Sequence, residues 1–259
     1  MLTGLAANRN VLKNLVLRDL QRRYVGSIGG FFWSVIHPIV QLACYSFVFG
    51  VVMGSRVDTR FAGYNYPIFI LCGLLPWLFF SETITRNCSS ITDNSVLVTK
   101  TVIPAEILPL SVTLSSLIQH AIGLVILLAV LAIFFQVHLS ILFVLLYLPI
   151  MVCLAQGLGW ILAGLQVFIR DTFQVLQILI WLWFWFTPIV YTLDGIPTLK
   201  AIGRYNPMAV IITGYRNALL NQANPNMLDV AIVFALSLAI FVVGALLFRQ
   251  AKPGFADVL

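Results

Sequence analysis

Residues 107–169 read ILPLSVTLSSLIQHAIGLVILLAVLAIFFQVHLSILFVLLYLPIMVCLAQGLGWILAGLQVFI, without one Lys, Arg, Asp or Glu. A helix needs about 20 apolar residues to span a bilayer, so the tract holds two generous spans or three tight ones. The polar break Gln136-Val137-His138 near its middle favours two, at 107–135 and 139–169. The second is overlong, and Pro149, Gly157, Gly159 and Gly164 within it predict tilt, a kink or close packing on a neighbour.

The rest of the chain follows the same reading. Hydrophobic residues make up 61% and charged residues 9% of 259 positions, against about 45–50% and 25% in soluble domains. No globular surface can be built from that composition, which predicts one all-α polytopic membrane domain over 1–259. Apolar runs at 31–53, 64–81, 173–193 and 228–248 bring the predicted spans to six. Nothing apolar begins before about Gly29, so a cleaved signal is not expected and the chain is read as starting at Met1. Cys44, Cys72, Cys88 and Cys153 lie far apart without C-x-x-C spacing, the pattern of buried helix cysteines rather than of a disulfide or metal site.

Six spans put both termini on one side. With the N-terminus inside, Arg9, Lys13, Arg18, Arg22, Arg23, Arg86, Lys100, Arg170, Arg249 and Lys252 are internal, and only Arg56, Arg60, Lys200, Arg204 and Arg216 are external. This bias predicts N-in, C-in topology, and it explains the +6 net charge without nucleic acid. An odd number of spans would place Arg170 and the basic C-terminus outside.

Three segments between spans carry pattern. At 8–25, Leu12, Leu15, Val16, Leu20 and Tyr24 recur at helical spacing opposite Lys13, Asn14, Arg18, Gln21 and Arg22. This predicts an interfacial amphipathic helix, with a solvated basic arm as the alternative. The stretch 93–109, DNSVLVTKTVIPAEILP, is amphipathic and bounded by prolines, and it predicts a cytoplasmic coupling helix over 93–105. Its alternative is a helix resting on the membrane surface. Residues 194–227 are too long for a turn. They contain Tyr205-Asn206-Pro207 and a short apolar helix pattern at 208–220, too short to span. Short re-entrant helices capping the outer side before the last span fit this pattern, as does a peripheral helix lying flat.

Catalytic equipment is missing from the sequence. No G-x-x-x-x-G-K-[ST], H-E-x-x-H or G-x-S-x-G occurs, and His37, His120 and His138 are scattered. Glu82, Arg86, Glu106, Arg170, Asp171 and Asp229 all fall at predicted span ends, which leaves the central bilayer zone without the titratable groups that ion coupling needs. Aromatic residues instead concentrate in the first span, with Trp33 and Tyr45, and in the fifth, with Trp181, Trp183, Phe184, Trp185, Phe186 and Tyr191. Five aromatics in six residues point all round a helix, so some face protein or a pore; lipid-facing and packing roles are the alternative. An aromatic-lined, uncharged conduit suits a neutral polysaccharide, whose sugar rings stack their C–H faces on aromatic rings.

Several stretches together carry a family resemblance. They are GGFFWSVIHP at 29–38, NSVLVTKTVIP at 94–104, FIRD at 168–171, TPIVY at 187–191 and YNP at 205–207. From about residue 10 to 252 the chain resembles the type-2 ABC transporter permeases, and within these the subunits that export lipid-linked O antigen, capsule or teichoic acid polymers. Thr187 stands where a serine is common, and His37 precedes Pro38 where other residues occur.

The resemblance implies a homodimer with two copies of a separate nucleotide-binding ATPase, which binds ATP and Mg; this chain itself is no enzyme and binds no cofactor. It implies a bacterial inner-membrane exporter of a lipid-linked polysaccharide, with the polymer channel on the dimer axis. ATPase contacts are expected at Arg18, Arg22, Asn94, Val96, Leu97, Val98, Lys100 and Pro104. Channel lining is expected from the first and fifth spans, at Trp33, Tyr45, Trp181, Phe184, Trp185 and Tyr191. An outward gate is expected at Pro188, Tyr205, Asn206 and Pro207. Rival readings are a type-2 exporter of drugs or lipids and an ion-coupled secondary transporter.

Overall fold

The computed structural model describes residues 9–24, 36, 39–40, 43–52, 61, 64–100, 103–135, 139–192, 203, 205–220 and 224–259. Every regular element among them is helical. Four helices are long and apolar enough to cross a membrane: Tyr66–Ser89, Ile107–Phe134, Leu139–Phe168 and Met227–Gly254. Part of the expected first span, including Trp33, lies outside the described residues, as do 194–202 and the side chains of Arg22 and Lys100. The described part of that span contains a π-helical segment, Ser46–Val52.

In chain order the α-helices are α1 (Arg9–Tyr24), α2 (Tyr66–Ser89), α3 (Ser95–Lys100), α4 (Ile107–Phe134), α5 (Val144–Phe168), α6 (Thr172–Trp185), α7 (Pro207–Leu219), α8 (Met227–Ala251) and α9 (Phe255–Val258). α2 is the central post, touching α4, α5, α6 and α7, while α8 packs along α5. α1 lies on α4 and turns Val16 inward while Lys13 and Arg18 stay exposed. The uncharged tract at 107–169 thus becomes two long helices, as its polar break indicates.

Glycine decides how closely α5 and α8 approach. A Cβ at Gly157 would stand 2.7 Å from the backbone of Ile240 and Phe241, and one at Gly244 would collide with the Gly157 carbonyl. Without a hydrophobic drive between helices in lipid, such close packing through small residues contributes to cohesion. Gly159 likewise admits Asn87 of α2, whose Nδ2 donates to Thr113 Oγ1 of α4 at 3.0 Å.

Two helices depart from the expected lengths. The second span, expected to end at Ser81, continues to Ser89, so Glu82 and Arg86 lie inside the helix rather than beyond it. Its 24 residues make about 36 Å, about one turn longer than a hydrocarbon core of about 30 Å. The fifth, expected to reach 193, stops at Trp185 after 14 residues. Pro188 cannot supply a helical N–H, and Thr187 Oγ1 instead donates to the Trp183 carbonyl at 2.7 Å, closing the last turn.

α1, α3 and the C-terminal residues gather at one end of the bundle, here the basal end, around a small core of Ile91, Ala105, Trp160, Val167, Phe248 and Phe255. α7, the short helix before the last span, does not lie loosely on top. Met208, Ile211, Ile212, Tyr215 and Arg216 are all buried against α2 and α5.

Candidate functional site

α2 and α6 run side by side, and their facing side chains build a groove of about 550 Å³. From α6, Gln177, Trp181 and Trp185 recur every four residues and so share a face. From α2, Trp77, Ser81 and Thr85 do the same beside Leu78, Glu82 and Arg86. The result is graded along its length: rings of Trp77, Phe184, Trp185 and Tyr45 at one end, Ser81, Glu82, Thr85, Arg86 and Gln177 at the basal end.

The aromatic cluster of the fifth predicted span divides by helical face. Phe184 is buried and Trp183 half-buried, whereas Trp181 is 63% and Trp185 42% exposed. Trp183 meets Phe80 edge-on at 5.1 Å between centroids, and Phe184 meets Trp77 at 5.7 Å. Tyr45 stacks on Phe184 at 5.5 Å, which brings the described part of the first span to the groove. Of the expected lining residues, Tyr45, Trp181, Phe184 and Trp185 therefore come together.

The foot of the groove is tied to α1. Arg86 pairs with Asp19 of α1, and Asp19 also accepts from Ser115 Oγ of α4, so one carboxylate joins three helices. Glu82, one turn earlier on α2, stands 3.7 Å from the same guanidinium. Ion pairs at a groove foot are invisible to spacing arguments when the partners are 67 positions apart.

Beyond the aromatic end the chain turns through 186–192 and is fixed from three sides. Asn206 is the hub. Its Oδ1 accepts from Trp183 Nε1 at 2.9 Å and from the Met208 N–H at 3.0 Å, the latter capping α7. Its Nδ2 donates to the Phe186 carbonyl at 3.2 Å and to Thr187 Oγ1 at 3.0 Å. Tyr66 Oη donates to the Val190 carbonyl at 2.6 Å, and Arg216 Nη2 to the Ile189 carbonyl at 2.7 Å. Arg216 is 2% exposed, with its guanidinium 3.8 Å above the Phe69 ring. Gly73 makes room for it, since a Cβ there would stand 2.6 Å from Nη2.

Among the expected gate residues, Asn206 and Pro207 start α7 and Pro188 is buried in the turn they hold, while Tyr205 is 87% exposed and stands apart from the hub. Tyr191 donates to the Trp185 carbonyl at 2.7 Å. Sequence reasoning passed over Trp77 and Gln177, and it counted Arg216 only as an external cation. The last had a signal, because a cation inside an apolar helix pattern marks a buried functional or structural contact.

The expected ATPase-facing residues separate as well. Val96 is 62% exposed, Asn94 is half-buried, and Leu97 and Val98 turn inward onto the basal core. Pro104 accepts from the Ile107 N–H at 3.0 Å at the start of α4, and Arg18 is exposed on α1.

The chain is thus a multi-helix membrane-type protein with a graded aromatic groove that ends in a hydrogen-bonded turn. The sequence profile of the ABC-2 type transporter family matches residues 10–220, and the chain belongs to that family. It is similar to the O-antigen export system permease protein RfbA of Myxococcus xanthus, 30% identical over 96% of this chain and 95% of the relative. The protein of the same name from Klebsiella pneumoniae is 29% identical over 93% and 92%. The polysialic acid transport protein KpsM of Escherichia coli is 24% identical over 84% of each chain.

Proposed function

We infer that this chain is the membrane subunit of an ATP-driven exporter that moves a lipid-linked polysaccharide, of O-antigen or capsular type, across the bacterial inner membrane. The observation that carries this reading is the groove between α2 and α6. Its exposed indoles at Trp181 and Trp185 offer flat faces to sugar C–H surfaces, and its basal end offers hydroxyl, amide and charged partners to sugar hydroxyls. Relatives named for O-antigen export and polysialic acid transport support a glycan as cargo.

In this reading two copies work together, each with a separate ATPase that binds ATP and Mg, and with both termini cytoplasmic. Nucleotide-driven closure of the ATPases pushes on 93–105, with Val96 and Arg18 the exposed contact points, and the permease answers by rigid-body movement. The turn at 186–192, held by Asn206 and Arg216, forms the outer gate.

The test is ATP hydrolysis by the purified permease and ATPase in lipid. Stimulation by a polyprenyl diphosphate-linked oligosaccharide and not by amphiphilic drugs is expected. The reverse pattern would replace the polysaccharide with a small amphiphile, and transport persisting without any ATPase would refute ATP drive.

A further inference from the structure

We propose that the C-terminal tail, residues 252–259, belongs to the coupling machinery, with Glu106, Lys252 and Phe255 as positioning residues for α3. This rests on reading 93–105 as the ATPase-facing segment. The tail lies beyond residues 10–220, the part matched by the family profile.

The starting point is the shortness of α3. A helix of 6 residues does not hold its own shape in water, so its position is set by what it packs on. Leu97 and Val98 rest against the basal core, and α9 lies directly against α3. Phe255, 1% exposed, places its ring 5.3 Å from Phe248 of α8 and 6.0 Å from Phe168 of α5. Its ring thus joins two spans within the same core that Leu97 and Val98 of α3 rest on.

A second contact ties the tail to the chain just after α3. Glu106 stands just before α4, its side chain making no cap bond to that helix, and its two carboxylate oxygens accept from Lys252 Nζ at 3.0 and 2.9 Å. The Glu106 side chain is 11% exposed, so removing the lysine would strand a largely buried charge. The segment that contains α3 is therefore gripped at Phe255 and just after its end at Glu106, and both grips lead to the end of α8. Because α8 meets α5 backbone to backbone at Gly244 and Gly157, a push on α3 reaches two spans at once.

The experiment uses the complete complex of full-length permease and ATPase in proteoliposomes, with a fluorescent polyprenyl diphosphate-linked mannose oligomer as cargo. Glycan moved and ATP hydrolysed are measured on the same vesicles, along with ATPase retention. E106K, K252E and F255A are expected to retain ATPase and hydrolyse ATP while moving about fivefold less glycan per ATP, the lower range of allosteric coupling. The exchanged pair E106K/K252E is expected to recover most of the loss. An unchanged ratio in K252E and F255A overturns the proposal, and so does an exchanged pair no better than its single variants. Should the single variants fail to assemble, recovery in the exchanged pair still decides. Wild-type vesicles that hydrolyse ATP yet move no glycan would defeat the exporter reading and the tail's role with it.

Discussion

The indole of Trp183 donates to the side chain of Asn206 at 2.9 Å, and through that bond the ring cluster behind the groove and the first turn of α7 share one polar atom. Trp183 is at the same time packed edge-on against Phe80 of α2. Any displacement of α7 is therefore felt in the ring cluster, and the reverse holds.

Asn206→Ala removes four hydrogen bonds and leaves the Trp183 N–H without its acceptor. A loss of about 1–3 kcal/mol is expected, as for a buried donor stripped of its partner. Asn206→Asp keeps the two accepting roles and should fall between. Thermal melts of the purified protein check the order, and export in cells should fall in the same order.

Val96 and Leu97 are adjacent but not equivalent. Val96→Asp changes a 62% exposed side chain and should leave the melting temperature unchanged while reducing co-purification of the ATPase. Leu97→Asp drives a charge into the basal core and should lower stability by about 2 kcal/mol or more. Equal effects on stability would show that both residues are structural.

Trp181 and Trp185 are exposed on the groove face, whereas Trp77 is 3% exposed. Trp181→Ala and Trp185→Ala should cut export by tenfold or so, the effect of about 1.4 kcal/mol, with normal yield. Trp77→Ala should cut yield first, through a core cavity worth about 3–5 kcal/mol. Membrane yield and surface glycan measured together separate the two outcomes.

Asp19 joins α1 to Arg86 and Ser115. Asp19→Ala should loosen α1 and raise hydrogen exchange across residues 9–24, with exchange in α5 and α8 unchanged. Faster exchange throughout would mean that Asp19 supports the whole bundle.

The long helices were legible because lipid imposes a length on apolar runs. Residues 107–169 needed only their polar break to divide, and the helix pattern at 208–220 matches Pro207–Leu219 to within a residue. The end of α2 was not legible, since Glu82 and Arg86 look like a stop until Asp19 is brought to them from α1. Much the same limits the site. The density of rings at 181–186 announced a function or a core, and only packing against α2 sorted Trp183 from Trp181. Leu97 and Val98 looked like outward knobs because Phe255, the ring at the core they rest on, lies at the far end of the chain.

The meeting of Gly157 with Gly244 also bears on how the protein is made. Gly244 is in α8, which leaves the ribosome well after α5, so the small-residue face of α5 stays open to lipid while everything before residue 227 is being inserted. Chains cut short of α8 would be threaded through the bilayer yet carry an unfilled notch beside Gly157, together with a Phe168 that lacks Phe255. Arrival of α8 fills that notch, and quality-control proteases that sense loosely packed helices would have a defined lesion by which to recognise a chain in which it has not docked.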